Sequence, residues 1–100
     1  MTLPTSIEIG PLIYVVDEVS DLHHKGLPIF GYYNPGGQRI QIERDMSGEY
    51  KLITLWEEML HAILNHSGRS NDIPHEVVGV LAFGIVDLLK DNPALRESRD

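Results

Sequence analysis

The stretch Leu52–His66, LITLWEEMLHAILNH, constrains the fold more than any other part of the chain. Leu52, Leu55, Trp56, Met59, Leu60, Ile63 and Leu64 recur at three- and four-residue intervals, the spacing of one helix face. The opposite face carries Thr54, Glu57, Glu58, His61 and Asn65. Glu57 and His61 are one turn apart, so both side chains reach a single point, and Glu58 projects from a neighbouring angle. Two ligands at i and i+4 with a Glu beside them is the arrangement of the metal-binding H-E-x-x-H helix, in which the Glu is the general base. Here the string is Glu57-Glu58-Met59-Leu60-His61, with Glu where the first His would stand.

The remaining elements read as support for this helix. Ser6–Ile9 alternates, Gly10-Pro11 interrupts, and Leu12–Val16 is β-branched and aromatic, which predicts a strand, either separate from the first or continuous with it across a bulge. Asp17–Gly26 is polar and predicts a loop with a short helical turn, and Pro28–Tyr33 predicts a further strand. Asn34-Pro35-Gly36-Gly37 is a turn signal. Gln38–Arg44 alternates, with Ile40 and Ile42 on one face, as in a half-exposed strand at a sheet edge. Asp45 or Ser47 caps the main helix, which stops at Ser67-Gly68. Pro74 suits the first turn of a second helix reaching Lys90, and Asn92-Pro93 ends it. That helix is apolar almost all round, which predicts burial against several partners or against another subunit. The fold class expected is α+β: a small, mostly antiparallel sheet (about 6–44) packed on two long helices (about 47–66 and 74–91), with a polar tail at 92–100. All of it forms one domain.

Composition narrows the function. The formal charge of −7, with eight scattered basic residues, argues against nucleic-acid binding. The absence of cysteine excludes disulfides and thiolate-held zinc. No apolar run approaches the ~20 residues of a membrane span and no basic–apolar leader opens the chain, so a cytoplasmic protein is expected.

In this order and spacing the elements resemble the small phage-type zinc metallopeptidase proteins related to the ImmA/IrrE family. IEIGPLIYVV is similar to that family's opening strands, QRIQIERDMS to its strand and loop before the active helix, TLWEEMLHAI to its H-E-x-x-H helix, and HEVVGVLAFGIVDLLKDNP to its closing helix. The resemblance implies a zincin-like core and, in active members, zinc-dependent peptide hydrolysis. It also implies a third ligand, an acidic residue on the second helix. Glu76 is the only Glu there, and Gly79, one turn on, is the other position that could correspond.

The expected site is therefore Glu57, His61 and Glu76 as zinc ligands with Glu58 as catalytic base. His75 beside Glu76 offers a nitrogen instead. Two carboxylates would neutralise the metal and lower the pKa of its water less than two imidazoles and one carboxylate, so weak or lost activity is expected. The function expected is that of a metallopeptidase-like phage or mobile-element protein with an altered or inactive site. Its partner would be a peptide, docked on Gln38–Arg44 as an edge strand. The alternative is a non-catalytic scaffold that binds a host protein. The apolar second helix predicts a homodimer.

Overall fold

A computed structural model describes residues 2–97. The architecture is α+β: a four-stranded mixed sheet, a two-stranded hairpin and two main helices. The strands are β1 (Ser6–Ile9), β2 (Leu12–Val19), β3 (His23–His24), β4 (Leu27–Pro28), β5 (Gly31–Asn34) and β6 (Arg39–Glu43). They are followed by α1 (Gly48–His66), α2 (His75–Asp91) and the short α3 (Ala94–Glu97). Among the described residues no helix is long and apolar enough to cross a membrane.

The sheet order is β1-β2-β6-β5. β1–β2 and β5–β6 are antiparallel, as expected of a mostly antiparallel sheet, whereas β2 and β6 run parallel and make the sheet mixed. The same order corrects the assignment of Gln38–Arg44 to an edge. β6 lies between β2 and β5, with Ile40 and Ile42 fully buried beneath α1. Its polar alternate face is compatible with an interior position because only one face of this sheet is covered by a helix. The edge beside α1 is β5.

The polar segment after Val16 does not turn helical. β2 continues to Val19 because Asp17, Glu18 and Val19 find partners in Gln41, Ile42 and Glu43. Two ion pairs reinforce that extension, Arg39 with Asp17 and Lys51 Nζ with Glu18 Oε1 at 2.6 Å. Beyond it, β3 and β4 pair across Lys25-Gly26, both at positive φ, the geometry of a tight two-residue hairpin loop. The strand expected at Pro28–Tyr33 is thereby broken at Ile29-Phe30 into β4 and β5.

Ser47 caps α1, its hydroxyl accepting from the Tyr50 N–H at 3.3 Å. α1 buries Leu55, Glu58 and Ala62, and the apolar core joins Leu55 and Ala62 to Tyr14, Val16, Ile40 and Ile42. α2 packs along a second side of α1 through Val78, Ala82 and Val86. At 100° per residue, Glu57, Glu58 and His61 fall in the wedge between these two packed sides, and Asn65, further along the same stripe, is exposed. α2 itself is covered on one side only, because Val80, Phe83 and Leu88 are 70, 59 and 58 % exposed. The expectation of all-round burial does not hold within one chain.

Candidate metal centre

α1 presents Glu57 and His61 on one stripe, and the loop after His66 returns the chain so that α2 begins against that stripe. Pro74 stands at the N-cap of α2, which makes His75 the first helical residue. The ligand-type atoms of Glu57, His61 and His75 lie within 4.8 Å of one another. Glu57 Oε2 is 3.3 Å from His75 Nε2. The His61 and His75 rings stack at 4.9 Å with 10° between their planes. A tetrahedral ion with ligands at about 2.0–2.2 Å separates them by roughly 3.4 Å, so the group needs only a small contraction to hold one.

Two further features fit a cation. His61 Nε2 is buried with no hydrogen-bond partner among the described residues. The His61 pKa is held below the usual imidazole value by burial and by the His75 ring, against an opposing pull from Glu57. The neutral imidazole is the form that ligates a metal.

Glu58 lies behind this group, only 8 % exposed. Burial, and then the Glu57 carboxylate, push its pKa up to about 7. Strand β5 comes close enough that a Cβ on Gly31 would sit 3.1 Å from Glu58 Oε2 and 2.6 Å from Thr54 Cγ2. Glycine is what permits the approach. At Gly79 a Cβ would meet Glu57 Oε1 at 3.6 Å, ordinary contact, so α2 crosses close over the first ligand.

Comparison with protein-family models, with curated proteins and with solved structures gave no match.

Of the residues singled out from sequence, Glu57, Glu58 and His61 come together. Glu76 does not join them: His75, whose side chain is itself 70 % exposed at the mouth of the wedge, takes the third place in the group. Consecutive helical residues project about 100° apart, so a first turn that aims His75 into the wedge aims Glu76 out of it. That rotation has no signature among the residues before Pro74. Sequence reasoning also missed a polar network beside the wedge. The Tyr14 hydroxyl is 2.6 Å from His66 Nε2 and 3.2 Å from the Tyr33 hydroxyl, which donates to Asn65 Oδ1 at 3.0 Å. Burial and Tyr14 hold the Tyr33 pKa above its ordinary value, so Tyr33 stays a neutral donor. His66, the last residue of α1, is part of this network, and Tyr32 stacks on His24 at 4.5 Å.

Proposed function

We propose that this chain is a zincin-like metallopeptidase domain in which Glu57, His61 and His75 hold zinc and Glu58 is the general base. The observation that carries the reading is the convergence of three ligand-type side chains from two helices beside a buried carboxyl and a sheet edge. The donor set is two imidazoles and one carboxylate, a known catalytic combination. The Glu in the first α1 position and the His at the start of α2 are thus a permutation of the usual set. The loss of activity expected for two carboxylates no longer applies. The resemblance to phage-type proteins stays the basis for a phage or mobile-element origin.

Zinc held by Glu57, His61 and His75 would supply a Lewis acid for an amide carbonyl. Glu58 would accept a proton from water as its oxygen bonds to the amide carbon, and would then deliver that proton to the amine nitrogen as the C–N bond breaks. Burial in the wedge keeps the Glu58 carboxyl close to the reacting atoms, and a cation beside it favours the carboxylate that this role needs. The outer edge of β5 offers backbone groups to an extended peptide, the part earlier expected of Gln38–Arg44.

The test is zinc linkage. Zinc should raise the melting temperature of the parent, His61→Ala and His75→Ala should abolish the rise, and Glu76→Ala should keep it. Loss of the rise in Glu76→Ala with retention in His75→Ala would overturn the ligand set. Glu58→Gln should keep zinc and lose hydrolysis of a fluorogenic peptide library. Zinc binding without hydrolysis in the parent would favour a binding role.

We also infer a homodimer. Val77, Val80, Leu81 and Leu88 form an exposed apolar stripe on α2, with Gly84 among them and open space over it. A second copy of the same stripe, crossing near Gly84 about a two-fold axis, is the simplest cover.

A further inference from the structure

The wedge continues into two cavities that meet at the candidate metal centre. One, of about 440 Å³, has Tyr33, Asn65 and Ser70 in its wall. The other, of about 320 Å³, is lined by Ile29, Phe30 and Thr54. Both share Gly31, Glu58 and His75, so the ligand group stands at the threshold between a lobe walled by polar side chains and one to which Ile29 and Phe30 add apolar wall.

The polar lobe has a defined donor. Because Tyr33 donates to Asn65 Oδ1, the Asn65 amide presents Nδ2 on its other side, 3.4 Å from Ser70 Oγ. That contact is long enough to yield to a better acceptor. The strand along the lobes also has free backbone. The Glu43 N–H donates to the Phe30 carbonyl at 2.8 Å, and Gly31 and Tyr33 pair with Ile42 and Ile40. Antiparallel alternation therefore turns the N–H and C=O of Gly31 and Tyr33 away from β6, toward the cleft edge.

We propose that the cleft selects extended peptides with a large apolar residue on one side of the scissile bond and a hydrogen-bond-accepting side chain on the other. Ile29 and Phe30 set the first preference and Asn65 the second. This rests on the metal-site reading above. A chain pairing along β5 advances about 3.3 Å per residue, so residues flanking the bond reach the two lobes while the bond lies over Glu58.

The experiment compares phenylalanine hydroxamate with serine hydroxamate by calorimetry on the zinc-loaded full chain. Phenylalanine hydroxamate should bind about tenfold tighter, the effect of burying part of a benzyl group. Ile29→Ser/Phe30→Ser should erase that advantage and leave serine hydroxamate unchanged, and Asn65→Ala should weaken serine hydroxamate several-fold. Equal affinities in the parent overturn the proposal even if the double variant does not fold. An advantage that survives the double variant overturns it too. Failure of both probes to bind although zinc raises the melting temperature overturns it and leaves the metal reading standing. No zinc effect on melting removes the metal reading, and this inference with it.

Discussion

Glu58 carries its carboxyl into the wedge between sheet and helices, and burial, helped by Glu57, keeps it protonated up to about pH 7. In the unfolded chain the same group titrates near 4.5. The folded state therefore binds this proton more tightly, so the stability it confers is complete below pH 4.5 and is lost as pH rises through about 7. For the metal-free protein the loss is on the order of 3 kcal/mol. Urea unfolding between pH 5 and 8.5 should show this decline, and Glu58→Gln should flatten it. His61 acts with the opposite sign, since its depressed pKa costs stability as pH falls. A Glu58→Gln variant with the parent's slope would mean that the carboxyl is solvated. At this scale Glu57, Glu58 and His61 were legible because one helical turn fixes their spacing. The choice of His75 over Glu76 was not, because it depends on the phase at which α2 starts.

At the scale of elements, β5 and α1 define the cleft, and Gly31 sets their separation. Thr54 is buried and its side chain is short and branched, so it has nowhere to swing if a methyl arrives. Gly31→Ala should cost about 1–3 kcal/mol by overpacking. It should also weaken the zinc-induced rise in melting temperature by moving the strand off Glu58. Denaturant midpoints and melting with and without zinc check both effects, and an unchanged midpoint would show that the strand is not held there. Most strands were legible from alternation, and Asn34–Gly37 joins antiparallel neighbours as its turn residues imply, whereas Gly10-Pro11, equally compatible with a bulge in one strand, makes a hairpin turn. Pairing order was not. The pattern of Gln38–Arg44 reports one buried face and says nothing of what lies to either side. Likewise the polar composition of Asp17–Val19 gave no sign that β6 would hold it extended.

For the whole molecule, the prediction is self-association through α2. At micromolar concentration the parent should sediment as a dimer and Val80→Glu as a monomer. Because Val80 is 70 % exposed, the charge should leave the monomer's unfolding free energy within about 0.5 kcal/mol. A monomeric parent overturns the dimer. Phe83 is less informative, because it lines an apolar groove with Leu52, Trp56 and Val86 that belongs to the α1–α2 junction.

The parallel contact of β2 with β6 has a kinetic meaning. β1–β2 and β5–β6 are each hairpins of neighbours in sequence and close quickly, whereas β2 and β6 meet only after the β3–β4 excursion and β5 have been gathered in. Chain-entropy loss is concentrated at that one seam. Its closure buries Val16 against Ile40 and gives α1 a surface to dock on. The barrier to folding should therefore lie at the seam: Ile40→Val should slow folding with little effect on unfolding, and an unchanged folding rate would place the barrier elsewhere.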